Sequence, residues 1–102
     1  MNQAQLMAQV KKMQAEMTKA QEELANTVVT GEAAGGTVKV EITCDQRVKS
    51  VKIGAGAVDP DDIETLEDLI VVAVNDALAK ANDASQKRMS SVTGGMRIPG
   101  FM

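Results

Sequence analysis

The residues with chemistry to offer are six cations in two helical stretches, which could meet a polyanion or simply keep two helix faces in water. Lys11, Lys12 and Lys19 fall in one short stretch, and Lys80, Lys87 and Arg88 in another. Ammonium and guanidinium groups repeated at helical spacing can neutralise successive phosphates. Each group also has a plainer reading as part of a solvated helix face. Lys12 with Glu16, and Lys19 with Glu23, are i,i+4 pairs in which the cation precedes the anion, the poorer orientation on a helix. Such pairs hold the cation weakly and release it readily to a phosphate. Asp83 and Lys87 stand in the better orientation, while Lys80 and Arg88 have fewer close acids.

Other chemistry finds little material. The chain has no His, Trp or Tyr, one Cys and one Phe. Without histidine a Ser-His-Asp or Cys-His site cannot be built, and zinc would depend on one thiolate and carboxylates. One cysteine excludes an intramolecular disulfide. A platform for stacking single-stranded bases is missing too. GAGAVD (Gly54 to Asp59) faintly resembles a dinucleotide fingerprint, but Asp59 stands where its last glycine belongs and would repel a pyrophosphate. A tight strand-to-helix turn explains it better. Asp59, Asp61, Asp62 and Glu64 lack EF-hand spacing and read as the acidic start of a helix. Cys44 ends an apolar face and reads as a small core residue. No enzyme activity, cofactor, metal or small-molecule substrate is expected.

The net charge of −3 hides an asymmetry. Residues 1–26 balance to zero, 27–58 sum to +1, 59–79 to −7 and 80–102 to +3. All the negative excess lies in one segment that contains no cation. A polyanion responds to the local field, so an acidic total does not exclude a basic surface.

The elements that position these groups follow from periodicity. Leu6, Val10, Met13, Met17, Ala20 and Leu24 recur at steps of four and three, which predicts one amphipathic helix over 3–25. Asn2 with Gln5 supplies a capping box. Ala33 to Gly36 marks a turn between two strands. Val38, Val40, Ile42 and Cys44 alternate with Thr37, Lys39, Glu41 and Thr43, a half-buried strand. Arg47 to Ile53 predicts a third strand with Val51 and Ile53 inward and a bulge near Val48. The outer face of the three-stranded meander carries Lys39, Arg47 and Lys49. Asp59-Pro60-Asp61-Asp62 predicts a helix start, with a helical pattern to about Val92 and room for one break in the first turns. Leu69 to Val74 is apolar all round and is expected to be buried on several sides. The polar stretch after Ala81 is expected to project beyond the core.

The expected fold is α+β: a long N-terminal helix, a three-stranded antiparallel meander and a long C-terminal helix in one domain. The parts are a helical arm (1–26), a sheet (27–58), an acidic start with a long helix (59–92) and a loosely ordered tail (93–102) with Ile98 and Phe101 as docking side chains. A three-stranded sheet with open edges is a natural place for a second copy to pair. The N-terminus lacks the pattern of a signal peptide, and no run is long enough for a membrane span. The chain reads as soluble and cytoplasmic, without a membrane partner.

The order of features resembles the YbaB/EbfC family of small bacterial nucleoid-associated proteins. The carriers are VTGEAAGGTVKVEI (Val29 to Ile42), DIETLEDLIVVAVNDAL (Asp62 to Leu78), SVTGGMRIPGF (Ser91 to Phe101) and the helical MAQVKKMQAEM. The resemblance implies a homodimer whose first and last long helices project as a tweezer-like pair of arms. It implies binding to double-stranded DNA, a place in the nucleoid and no enzymatic activity. It places the DNA contacts on the projecting helices, here Lys11, Lys12, Lys19, Lys80, Lys87 and Arg88. The competing expectation is a protein-interaction adaptor whose DNA association is indirect.

Overall fold

The computed structural model describes residues 2–93. Their order is α1 (Gln3–Ala25), β1 (Val28–Ala33), β2 (Val38–Thr43), β3 (Val48–Ile53) and α2 (Ile63–Thr93), the expected α-β-β-β-α arrangement. The tail expected to dock through Ile98 and Phe101 lies outside the described residues.

The capping box of α1 forms as the sequence predicts. The Gln5 amide donates to Asn2 Oδ1 at 2.7 Å, and the Asn2 amide donates to Gln5 Oε1 at 3.3 Å. Burial along the α1 seam is graded. Leu24 and Ala20 are buried, Met17 and Met13 half-buried, and Val10 and Leu6 exposed. The helix therefore docks by its C-terminal half and leaves the body by its N-terminal half.

The sheet is a meander in the order β1-β2-β3, antiparallel throughout. The first turn needs positive φ at Ala34, Gly35 and Gly36 in succession; the two glycines adopt it without strain, while Ala34 carries a side chain into the left-handed region. In β2 the predicted alternation holds: Val38, Val40, Ile42 and Cys44 are all buried. Three fully buried branched side chains contribute about 1.5–3 kcal/mol each. The predicted bulge is present: Glu41 pairs with Ser50 and Ile42 with Val48, so Lys49 has no opposite number.

Two expectations fail in the single chain. Val51 and Ile53 pair with Val40 and Val38 and so face the core side, yet both are exposed. Val71 and Val72, in the stretch expected to be buried on several sides, are more than half exposed. Val71 and Val72 take no part in the packing of α2 on the sheet, and β3 lies beyond the reach of that helix. The core joins β1, β2 and α2 through Ala33, Val38, Val40, Ile42, Ala73, Ala77 and Ala81, and no β3 residue enters it. A single helix about 10 Å wide covers two strands spaced about 4.8 Å apart, not three.

The position of α2 over β1 depends on Gly31. A Cβ built there would lie 2.1 Å from the Ala73 carbonyl oxygen and 2.7 Å from Ala77 Cβ. Only a residue without a side chain admits this approach. The start of α2 shows the break for which the sequence leaves room. Asp59 caps a separate turn, its Oδ1 accepting from the Asp61 amide at 2.9 Å. The helix begins at Ile63, where Asp62 accepts from the Thr65 amide at 3.3 Å and hydroxyl at 2.6 Å. The molecule is elongated, 70 × 26 × 17 Å, with a radius of gyration of 19.5 Å. A compact chain of this length would have roughly 13 Å. The excess comes from the two long helices.

Candidate nucleic-acid interface

The two helices meet away from the sheet and run antiparallel. Arg88 Nε donates to Glu23 Oε2 at 2.6 Å, and Arg88 Nη1 donates to Ser91 Oγ at 2.8 Å. Glu16, Lys19, Arg88, Ser91 and Val92 line a shallow cleft at this junction. Moving toward the α1 N-terminus therefore means moving toward, and then past, the described end of α2. Every residue from Asn2 to Lys12 is exposed.

The six candidate cations divide by helix. On α2 each is held by an acid. Lys80 Nζ pairs with Asp76 at 3.0 Å and also donates to the Thr30 carbonyl at 2.9 Å. Lys87 pairs with Asp83 at 3.0 Å, and Arg88 with Glu23. On α1, Lys11, Lys12 and Lys19 have neither an ion pair nor a hydrogen bond to any described residue. The helix pairs with the favourable orientation formed, Asp76–Lys80 and Asp83–Lys87; those with the reverse order, Lys12–Glu16 and Lys19–Glu23, did not.

The Glu23 partner was not legible from local sequence. The acid reaches across to Arg88 on the other helix instead of back to Lys19. The hydrogen bond from Arg88 is the main cause that holds the Glu23 carboxyl below its usual value, and the same bond raises Arg88. The outer sheet face adds Lys52 to the expected Lys39, Arg47 and Lys49. Acids answer part of this charge: Lys52 lies 3.6 Å from Glu41 and Arg47 lies 3.7 Å from Asp45. Glu41 is lowered first by the Ser50 hydroxyl and then by Lys52. Cys44 is buried, and desolvation raises its thiol, the setting of an inert core residue.

The negative segment is kept apart from the arms. Asp68 is the last acid of the cluster that opens α2, and Arg88 lies about 30 Å further along the helix at 1.5 Å per residue. That distance is several times the screening length of about 8 Å at physiological salt. Phosphates near the α1 lysines would feel little of the acidic end.

Residues 1–96 match the YbaB/EbfC DNA-binding family. A nucleoid-associated protein of Chloroflexus aurantiacus is 47% identical over 97 residues, covering 95% of this chain and 97% of that protein. One from Roseiflexus sp. (strain RS-1) is 48% identical over 101 residues, covering 99% of this chain and 100% of its own length. The crystal structure of an uncharacterized protein from Helicobacter pylori has the same fold, with a TM-score of 0.71 at 21% identity, covering 94% of this chain and 97% of that one. With nearly its whole length matched and its arms and sheet in the same order, the chain belongs to the YbaB/EbfC DNA-binding family.

Proposed function

We propose that this chain binds double-stranded DNA as a homodimer through its projecting helices, in the nucleoid. Selectivity is weak or shape-based, and the role is nucleoid organisation, gene regulation or both. The observation that carries this reading is the set of three α1 lysines that form no ion pair with any described residue, Lys11 and Lys12 on the exposed half of the helix and Lys19 beside the cleft at its docked half. A 23-residue helix is about 35 Å long, roughly one turn of duplex DNA. Lys12 and Lys19 are two turns apart on one side of it, and Lys11 lies beside them. Lys87 and Arg88 are secondary contacts, because a phosphate must first displace Asp83 or Glu23. Lys80 serves the sheet edge. Few side chains on these arms are placed to read base edges, so phosphates dominate.

The homodimer rests on the uncovered apolar surface. Val48, Val51 and Ile53 face the core side of the sheet without a helix over them, and Val71 and Val72 stand exposed on α2. A second copy supplies the missing cover. Leu6, Met7 and Val10 are also exposed near the α1 tip, which favours a protein partner there as the second reading.

A mobility-shift titration with purified protein and duplex DNA across a salt series tests the main reading. Direct binding that falls steeply with salt is expected. Binding unchanged between low and physiological salt would sink the phosphate model, and no direct binding would favour the adaptor. Light scattering of the free protein tests the dimer.

A further inference from the structure

The two edges of the sheet are not equivalent. In β1 the backbone groups of Thr30 and Glu32 point away from β2. Asp76 Oδ2 accepts from the Glu32 amide at 3.0 Å, and Lys80 Nζ donates to the Thr30 carbonyl at 2.9 Å. Lys80 and Asp76 are themselves joined at 3.0 Å. One residue of an added parallel strand would make this same pair of contacts, donating to one carbonyl and accepting from the amide two residues on.

The spacing explains why a helix can imitate a strand here. Residues four apart on a helix are separated by about 6 Å along its axis. Residues two apart on a strand are separated by about 6.7 Å. An i,i+4 acid–base pair therefore spans one i,i+2 step of a strand, provided the helix lies close and nearly antiparallel to it. Gly31, between the two bonded residues, is the position whose missing side chain permits that approach. At β3, by contrast, no described side chain hydrogen-bonds the backbone, and Val51 and Ile53 stand uncovered beside the open edge.

We propose that the Asp76–Lys80 pair is a surrogate strand that closes the β1 edge, so that a second copy of this chain can add to the sheet only along β3. An exposed edge is a template for further pairing, and covering it is one way a sheet limits growth. With one edge closed in each chain, association stops at a pair; with both open, it continues. The identity of the added strand rests on the homodimer reading above, but the closure of β1 does not.

The test compares the full chain with D76A/K80A and with D76N, which keeps an acceptor for the Glu32 amide. Two readouts are needed: exchange of the Glu32 amide by NMR, and mass by sedimentation over a range of concentrations. In D76A/K80A, Glu32 exchange should accelerate about tenfold or more, as for loss of one hydrogen bond. Species larger than the wild-type assembly should also appear reversibly with concentration. D76N should keep the wild-type mass. Unchanged Glu32 exchange, or a double variant with the wild-type mass at every concentration, overturns the proposal. If the double variant does not fold, K80M takes its place, removing the donor to the Thr30 carbonyl while keeping the aliphatic stem; concentration-dependent growth supports the proposal and wild-type mass overturns it. A monomeric wild type defeats the homodimer reading alone, because the variants still report whether β1 is closed.

Discussion

Arg88 and Glu23 join the two arms: a guanidinium on α2 donates to a carboxylate on α1 at 2.6 Å, at the point where the helices part from the sheet. The contact has two consequences that oppose each other. It ties α1 to α2, and on the proposed DNA-binding reading it holds back one cation from phosphate. Glu23→Gln weakens the hold and removes one negative charge per chain. The prediction is tighter duplex binding at low salt and a steeper salt dependence, by up to about two units of slope for a dimer. A parallel measurement follows from titration. The carboxyl of Glu23 is lowered in the folded protein, so its contribution to stability is present above its usual pKa and is lost as pH falls through the lowered folded value. Asp76, lowered first by the Glu32 amide, behaves likewise. With no histidine in the chain, stability should be flat from about pH 5 to about 8, fall in acid, and fall again above about pH 8.5, where the Cys44 thiol, raised by burial, ionises first in the unfolded chain. Thermal melts across pH, with and without E23Q, check both parts. A transition near neutrality would contradict the assignment.

The α1 lysines are predicted to set the salt dependence. Three per chain, on two arms of a dimer, can release up to about six counterions, a slope near −5 in log K against log salt. Lys12→Ala removes two of these in the dimer and should flatten the slope by about two units. Lys87→Ala should do less, because Asp83 already holds that cation. The triple variant K11A/K12A/K19A should lose most binding while keeping the mass and helicity of the wild type. Unchanged affinity in the triple variant would move the interface off α1.

The pattern of residues carried most of the fold, because each predicted element rests on interactions within itself. The α1 capping box, the β2 alternation and the bulge at Lys49 are local, and all three are present. What the sequence left hidden depends on distant partners. Nothing near Glu23 indicates that Arg88 will reach it, and nothing near Lys80 indicates the Thr30 carbonyl. The inward side chains Val51 and Ile53 were assigned to the correct face, but facing the core side is not the same as being covered. The break that the pattern allows in the first turns falls between Asp59 and Asp62: both can cap, and only the latter leads directly into α2.

Gly31 and Gly56 offer a contrast that tests the packing of α2 on β1. A methyl group at Gly31 meets backbone atoms of Ala73 and Ala77, so the helix must shift away from the sheet. Gly31→Ala is predicted to cost about 3 kcal/mol or more, as for a severe overpacking, and to lower the melting temperature by about 12 °C or more. A methyl group at Gly56 meets nothing within 4 Å, and φ there is ordinary. Gly56→Ala should be neutral or stabilising by a few tenths of a kcal/mol, through the unfolded chain. Similar melting temperatures for the two variants would show that the close approach is not required. Loss of the Asp76–Glu32 bond in G31A, read from Glu32 amide exchange, would show that the glycine positions the edge seal as well.

Val51 separates folding from association. It pairs with the fully buried Val40 across β2 and β3, yet it takes no part in the core of its own chain. A charge at Val40 must be buried without a partner and should prevent folding. A charge at Val51 remains in water as long as the chain is alone, and becomes costly only when a second copy covers the strand. Val51→Asp is therefore predicted to leave the helical circular dichroism of the chain intact while shifting its sedimentation from dimer to monomer. DNA binding should weaken with it, because two pairs of arms on one body bind a duplex at a higher effective concentration than a single pair does. A Val51→Asp protein that remains dimeric would place the contact between copies away from β3. A monomeric variant with undiminished DNA affinity would show that a single pair of arms is sufficient.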